Sequence, residues 1–125
     1  MTNHKNKVLL VEDDQTLLEM YELKFKEAGF DLILAADGES GLELAKKEMP
    51  AVVLLDIMMP KMDGFAVLTQ LRQDDATKNI VILMLSNLGQ QTDIEKGKQL
   101  GAQDYVVKAS MTPTQVVEKV KSYIK

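Results

Sequence analysis

Residues 51–56 read AVVLLD, a short apolar run that does not alternate and that ends on a carboxylate. Four more runs of this kind occur along the chain: KVLLV at 7–11, FDLILA at 30–35, IVILML at 80–85 and DYVV at 104–107. A sheet solvated on one face would alternate apolar and polar residues, whereas continuous apolar runs are typical of parallel strands covered on both faces. We therefore predict five parallel strands, with residues 51–55 as the third.

Helical patterns separate these runs. The apolar residues of 15–28 recur at the spacing of an amphipathic helix, and Gly29 stands where a left-handed C-cap residue would. Asp37 and Gly38 form a turn signal that opens a second helix. Strands that alternate with helices predict right-handed βαβ units and a doubly wound α/β sheet.

The last helix has the clearest start and the fourth the weakest pattern. Thr112 and Gln115 have the spacing of a capping box, and Pro113 occupies the first turn, where its missing N–H costs nothing. Residues 90–100 contain few strongly apolar side chains, and Gly97 interrupts them at a cost of about 1 kcal/mol relative to Ala. We predict five helices in all, the fourth being the least stable.

Composition excludes several classes of protein. The chain has 125 residues, the size of one domain, and its 19 acidic and 15 basic residues give a net charge of −4, so direct nucleic-acid binding is not expected. The absence of cysteine excludes a disulfide scaffold and a thiolate zinc site. The apolar runs are far shorter than the roughly 20 residues of a membrane span, and no signal peptide precedes them, which predicts a cytoplasmic domain.

We expect residues 1–6 to be a flexible tail and residues 1–125 to form one domain. The chain ends directly after the last predicted helix, which favours a stand-alone domain without an attached effector. The alternative is that the chain is a piece of a longer protein.

Charged or hydroxyl side chains stand at the ends of four predicted strands. They are Glu12, Asp13 and Asp14 after the first, Asp56 after the third, Ser86 after the fourth and Lys108 after the fifth. Any one of them alone would be an ordinary loop residue. Because the carboxyl ends of parallel strands meet at one edge of a doubly wound sheet, together they predict a functional site.

Their chemistry indicates a metal-assisted phosphoryl site. Carboxylates from two strands repel each other unless a cation lies between them. Oxygen ligands without histidine or cysteine favour Mg²⁺ or Mn²⁺, which usually bind few carboxylates together with a phosphoryl group. A lysine and a hydroxyl at neighbouring strand ends can hold the remaining phosphoryl oxygens. One carboxylate could itself be the nucleophile.

The chain resembles the receiver domain of bacterial two-component response regulators. The resemblance covers essentially the whole sequence, and the residues that carry it are VLLVEDD at 8–14, LLDIMMPKMDG at 54–64, MLS at 84–86 and DYVVKA at 104–109. It implies a flavodoxin-like receiver fold with strand order 2-1-3-4-5.

The resemblance also implies a chemistry for the strand ends. Asp56 is similar in position to the aspartate that accepts a phosphoryl group from a histidine kinase or a phosphotransfer protein. Asp13 would bind Mg²⁺ directly and Glu12 through a water. The backbone carbonyl of Met58 would be the third protein ligand, beside Asp56 and Asp13.

Three further residues match a switch. Ser86 corresponds to the hydroxyl that bonds the phosphoryl group, Lys108 to the lysine that pairs with the aspartate or its phosphate, and Tyr105 to an aromatic residue that changes burial. Asp14 lies one place past the acidic pair and is predicted to cap the first helix. Activation is expected to change the face formed by helix four, strand five and helix five. This face would control a downstream partner protein that the sequence does not identify. The resemblance implies a monomer or a phosphorylation-dependent dimer.

The sequence departs from the family's pattern in two places. Ala109 follows Lys108 where the family usually has a proline in a cis peptide, and a non-proline cis bond costs about 3–4 kcal/mol, so a trans bond is expected. Asn87 follows Ser86 where most relatives carry Ala or Gly, and its side chain is expected to narrow access to Asp56.

Three loop positions bear on the rate of phosphate loss or on the backbone conformation. Met58 and Leu88, which flank the path of the hydrolytic water in relatives, are both apolar, so slow self-dephosphorylation is expected. Gly64 is expected to adopt a backbone conformation closed to other residues before the third helix.

Two other classes of protein are alternatives to a phosphoacceptor domain. A haloacid-dehalogenase-like phosphatase would place a second aspartate two residues after the nucleophile, where this chain has Met58. A phosphorylation-independent interaction adaptor that has kept the fold is the other alternative. Retention of every strand-end residue favours the phosphoacceptor, which would catalyse its own phosphorylation without being a turnover enzyme.

Overall fold

The fold is known from a computed structural model, which describes residues 6–59, 61–86 and 91–124. A five-stranded sheet has the order β2-β1-β3-β4-β5, and all its neighbours are parallel. The strands are β1 (Lys7–Val11), β2 (Asp31–Ala35), β3 (Val52–Asp56), β4 (Val81–Ser86) and β5 (Asp104–Val107). The helices are α1 (Gln15–Glu27), α2 (Gly38–Glu48), α3 (Gly64–Gln73), α4 (Gln91–Gln99) and α5 (Pro113–Lys121). The predicted doubly wound α/β sheet and its strand order are confirmed.

Each face of the sheet has its own apolar core. On one face, Tyr21 of α1 and Val116 of α5 belong to a buried cluster with Leu10 and other strand residues. On the opposite face, Leu68 of α3 packs in a cluster that contains Leu9 and residues of α2. Because helices cover both faces, β1 and β3 are buried along their whole length, as their continuous apolar sequences indicated.

The helix ends confirm the predicted capping residues. The Asp14 carboxylate accepts hydrogen bonds from two backbone N–H groups in the first turn of α1. Gly29 has a φ of 89°, the left-handed conformation that suits a glycine directly after a helix. Thr112 and Gln115 form both hydrogen bonds of the capping box at the start of α5.

Three strand boundaries differ from prediction by one residue. The strand predicted at 30–35 begins at Asp31, because Phe30 instead packs edge-on against Phe25, with ring centroids 5.5 Å apart. The strands predicted at 51–55 and 80–85 each begin and end one residue later. Asp56 and Ser86 are therefore the last residues of strands and not the first residues of loops.

The weak fourth helix is present, and Ile94 and Gly97 are its buried residues among those described. Residue 90, where the prediction began it, lies outside the described residues, as does the predicted tail apart from Asn6. Across the described ranges, none of the helices combines the length and the apolar character needed to cross a membrane.

Candidate functional site

The strand ends bring four of the predicted residues to one edge of the sheet. Glu12 follows β1, and its N–H donates to the carbonyl of Ala35, extending the pairing of β1 with β2 by one residue. The N–H of Lys108 donates to the carbonyl of Ser86 at 2.7 Å and extends the pairing of β5 with β4 in the same way. Asp56 closes the central strand β3 between them. The parallel topology alone therefore places these side chains side by side.

The ammonium of Lys108 forms ion pairs with carboxylates that follow or end two other strands. Its Nζ lies 2.9 Å from Asp56 Oδ2 and 2.5 Å from Glu12 Oε1. All three side chains are buried, so the attractions are only weakly screened by water. Burial lowers the pKa of Lys108, but the hydrogen bonds and charges of Glu12 and Asp56 outweigh it, and its pKa is raised overall. Lys108 is therefore a permanently charged ammonium at neutral pH.

The carboxylates outnumber this ammonium. Glu12, Asp13 and Asp56 each present an oxygen within 4.8 Å of the others. Burial raises the pKa of Glu12 although Lys108 opposes the shift, and the charge of Asp56 raises it further. Glu12 Oε1 is fully buried, and apart from its ion pair with Lys108 it has no hydrogen-bond partner among the described residues.

This donor set fits a hard divalent cation. It consists of oxygen atoms only, it carries more negative charge than Lys108 neutralises, and it includes a buried oxygen, Glu12 Oε1, whose partner among the described residues is the Lys108 ammonium. Mg²⁺ prefers such oxygen ligands and would relieve the repulsion between the carboxylates. The residues brought together here are the ones that the sequence predicted for the metal.

Met58 borders the cleft above the carboxylates. Its backbone N–H donates to Asp56 Oδ1 at 3.3 Å, and its side chain is 76% exposed. A cleft of about 410 Å³ is lined by Glu12, Asp13, Asp14, Asp56, Met58 and Lys108. The predicted phosphoacceptor therefore opens to a space large enough for a phosphoryl group, beside an apolar thioether.

Asp14 lines the same cleft but has a different function. Its Oδ1 accepts hydrogen bonds from the N–H groups of Thr16 at 2.9 Å and Leu17 at 3.2 Å. Its own N–H donates to Glu12 Oε2 at 3.0 Å. Asp14 therefore caps α1 and positions Glu12, as expected for the residue that follows the acidic pair.

Ser86 and Tyr105 lie on the side of the site toward β4 and β5. Ser86 is buried at the end of β4, and Tyr105 is partly buried on β5. The ammonium groups of Lys98 and Lys119 lie 5.4 and 5.9 Å from the centroid of the Tyr105 ring, within the range of a cation–π contact. The predicted switch residue is thus held at the junction of α4, β5 and α5.

Several predictions fall on the neighbouring loops. No cis peptide bond occurs among the described residues, so the Lys108–Ala109 bond is trans, as expected. Asn87 and Leu88 lie outside the described residues. The reason given for Gly64 is wrong: positive φ angles among the described glycines occur at Gly29 and Gly101. A Cβ on Gly64 would instead overlap the carbonyl oxygen of Asp56, so close approach of two backbones requires the glycine.

In the sequence, Tyr21 is one of the apolar residues of 15–28 whose spacing predicts α1, and nothing else about it indicates a functional position. Its ring is buried, and burial raises the pKa of its hydroxyl, while the positive charge of Lys108 opposes that rise. The charges of Lys108, Glu12 and Asp56 therefore all act on the pKa of this hydroxyl. No sequence pattern distinguishes such a tyrosine from other core aromatics.

Comparison with known proteins agrees with this geometry. Residues 8–121 match the family described as the response regulator receiver domain. The chain belongs to this family. Receiver domains pair with histidine kinases or phosphotransfer proteins, and they bind Mg²⁺ at an acidic pocket of the kind seen in this one.

Similar receivers are known as structures and as parts of longer proteins. A putative response regulator from Chloroflexus aurantiacus is 35% identical, with a TM-score of 0.88 over 94% of this chain and 96% of that one. A CheX–CheY–BeF₃–Mg²⁺ complex from Borrelia burgdorferi is 32% identical, with a TM-score of 0.85 over 95% and 90%. The probable transcriptional regulator ycf27 of Porphyra purpurea is 36% identical over 125 residues, which are 100% of this chain and 50% of that protein. The chain spans about half the length of the curated relatives it matches.

Proposed function

We propose that this receiver domain accepts a phosphoryl group on Asp56, from a histidine kinase or a phosphotransfer protein, in a Mg²⁺-dependent reaction. The observation that carries the proposal is the setting of the Asp56 carboxylate. One oxygen is paired with Lys108 at 2.9 Å, the other accepts from the N–H of Met58, and Asp56 belongs to an acidic cluster with buried Glu12 and exposed Asp13 that lines a cleft. A similar structure contains BeF₃ together with Mg²⁺.

Each residue has a definite task in this reaction. An Asp56 oxygen attacks the phosphorus of the donor, the bond from phosphorus to the donor's leaving atom breaks, and the leaving group keeps the electron pair. Lys108 offsets the negative charge on the phosphoryl oxygens, and the Ser86 hydroxyl donates a hydrogen bond to one of them.

The acidic residues hold the metal. Asp13 and Asp56 would bind Mg²⁺ directly, together with the Met58 carbonyl, and Glu12 would bind it through a water. The metal supplies positive charge that lets two anions, the carboxylate and the phosphoryl group, approach each other. The match to the receiver family favours this function over the phosphatase alternative.

The output is a change in the population of two conformations. Phosphorylation draws Ser86 toward the phosphoryl group, Tyr105 changes its burial, and the α4–β5–α5 face changes its affinity for a downstream protein or a second copy of the chain. Support comes from the small buried face of α4, and from the position of Tyr105 between lysines of α4 and α5. The domain catalyses its own phosphorylation and a slow self-dephosphorylation, and it is not a turnover enzyme.

Intact mass after incubation with acetyl phosphate tests the proposal. We expect the wild type to gain one phosphoryl group in Mg²⁺ and none in a chelator, and Asp56→Asn to gain none. Asp63→Asn is the matched control, because Asp63 lies in the loop that follows Asp56 but caps α3 by accepting from the N–H of Ala66. A phosphoryl group on Asp56→Asn would contradict the assignment. A wild type that gains none would favour the phosphorylation-independent adaptor.

The rate of phosphate loss tests the slow decay. The exposed thioether of Met58 cannot orient a water, so Met58→Asn is expected to shorten the lifetime of the phosphorylated form severalfold. Met20→Asn, which changes another exposed methionine on α1, is expected to leave the lifetime unchanged. Equal lifetimes for all three proteins would show that Met58 does not limit hydrolysis.

A further inference from the structure

We propose that the turn from β2 to α2, formed by Asp37 and Gly38, positions the loop that follows the phosphoacceptor. This loop leads from Asp56 to α3, and its described residues are 57–59 and 61–63; we call it the acceptor loop. The inference deepens the proposed function and rests on it, because the loop contains Met58, whose N–H holds the Asp56 carboxylate.

Gly38 contacts the acceptor loop backbone to backbone. A Cβ added to Gly38 would overlap the carbonyl oxygen of Met62 and would lie 2.8 Å from its carbonyl carbon. No rotamer change relieves such an overlap, because the obstructing atoms belong to the main chain. Residue 38 must therefore lack a side chain for the turn and the loop to pack as they do.

Asp37 makes a second contact with the same loop. Its carboxylate caps α2 by accepting from the N–H of Ser40 at 2.8 Å, which fixes its position. The other oxygen lies 3.8 Å from the ammonium of Lys61. Lys61 has a φ of 69°, a left-handed conformation that costs a non-glycine residue about 1–2 kcal/mol. Lys61, the strained residue of the loop, is thus the residue that forms an ion pair with Asp37 of the turn.

The far end of the loop is closed against the phosphoacceptor itself. The N–H of Gly64 donates to the carbonyl of Ile57 at 2.9 Å, and the Cα of Gly64 lies against the carbonyl group of Asp56. The loop is therefore held between two glycines, one touching Asp56 and one touching Met62. A displacement at Met62 moves the chain that connects these contacts, and with it the N–H of Met58.

A comparison of two glycine variants tests the inference. Gly38→Ala pushes on the acceptor loop, whereas Gly101→Ala strains a residue at φ 109° beside Arg72, at the amino ends of the strands. Both are expected to lower stability. At equal folded fraction, only Gly38→Ala is expected to slow phosphorylation by acetyl phosphate, by about tenfold, because a small misplacement of reacting groups is costly.

A second readout separates this inference from the proposed function. Hydrogen exchange at the amides of Met58 and Gly64 is expected to accelerate in Gly38→Ala and to stay unchanged in Gly101→Ala. If the wild type is not phosphorylated at all, the proposed function fails and exchange alone decides whether the turn positions the loop. An unchanged exchange rate, or equal loss of the phosphorylation rate in both variants, would overturn the inference.

A milder pair of variants covers the case in which Gly38→Ala does not fold. Lys61→Ala removes the contact with Asp37, and Lys46→Ala removes an ion pair of the same 3.8 Å length with Asp74, outside the acceptor loop. Faster exchange at the Gly64 amide in Lys61→Ala alone would support the inference. No difference between the two variants would overturn it.

Discussion

Two buried lysines stand at opposite edges of the sheet. The side chain of Lys7 is 8% exposed at the amino end of β1, and that of Lys108 is 7% exposed just past the carboxyl end of β5. Lys7 donates a hydrogen bond to a single carboxylate, Glu48 of α2, at 3.0 Å. Lys108 is shared by Glu12 and Asp56, with Asp13 close by. The two lysines are equally buried, and what differs is the number of carboxylates around each.

Charge balance decides what each edge can do. At the amino edge the buried Lys7 ammonium is paired with one carboxylate, so this pair is neutral and needs no further ligand. At the carboxyl edge one ammonium is paired with two carboxylates and a third lies beside them, so the excess negative charge favours a divalent cation. An equal degree of burial thus accompanies a balanced ion pair at one edge and an excess of negative charge at the other.

Removal of the two lysines should give the largest difference. Lys108→Met leaves two buried carboxylates without a counterion and is expected to cost about 3 kcal/mol of unfolding free energy in a chelator. Lys7→Met leaves only Glu48, which is partly solvated, and is expected to cost about 1 kcal/mol. Urea denaturation of both variants measures the difference. Equal losses would show that burial, and not charge balance, sets the energetics.

Removal of one carboxylate at each edge should give effects of opposite sign. Because burial and the charge of Asp56 raise the pKa of Glu12, its ionised form opposes folding, and Glu12→Gln is expected to raise the unfolding free energy at neutral pH without metal. Glu48→Gln breaks a balanced pair and is expected to lose up to about 1 kcal/mol. A loss of stability in both variants would contradict the proposed excess of negative charge.

Tyr123→Phe extends the comparison to a partly exposed ion pair, in which the Lys119 ammonium lies 3.1 Å from Asp104 Oδ2. Burial raises the pKa of Asp104, but hydrogen bonds from Tyr123, the Tyr105 N–H and Lys119 outweigh it, so the pKa is lowered. Ionised Asp104 therefore stabilises the fold above the ordinary value of 3.8, and this contribution is lost as pH falls through the lowered pKa.

Loss of the Tyr123 hydroxyl, which donates to Asp104 at 2.7 Å, is expected to cost about 1 kcal/mol at pH 7. The difference from the wild type should shrink as Asp104 becomes protonated in acid. Thermal unfolding across that pH range measures it. A penalty that does not depend on pH would show that the hydroxyl acts through packing and not through the carboxylate.

The sequence predicted the parts of the molecule that depend on local pattern and on topology. Continuous apolar runs identified the five strands, and parallel topology then placed Glu12, Asp56 and Lys108 at one edge before any contact was known. The caps of α1 and α5 followed from residue type and spacing. The predicted ends of β3 and β4 lie one residue before the observed ends, because an apolar pattern does not show that Asp56 and Ser86 continue the strands.

The features that were missed depend on the approach of segments that lie far apart in the sequence. The overlap of a Gly38 Cβ with the backbone of Met62 and the left-handed Lys61 leave no mark in the local pattern. Gly64 was correctly singled out but for the wrong reason, because its contact with the Asp56 carbonyl is visible only in three dimensions. The side chains that meet at this edge were therefore predictable from the sequence, and the backbone contacts that hold the neighbouring loop were not.

The most direct test of the charge imbalance is the unfolding free energy as a function of Mg²⁺ concentration. The wild type should gain about 1.4 kcal/mol for each tenfold increase in Mg²⁺ above the dissociation constant. Asp14→Asn, which keeps a capping side chain, should gain as much unfolding free energy as the wild type at each Mg²⁺ concentration. Asp13→Asn should need at least about tenfold more Mg²⁺ for the same gain. A wild type whose stability does not respond to Mg²⁺, or an Asp13→Asn variant that gains as much as the wild type, would contradict the account.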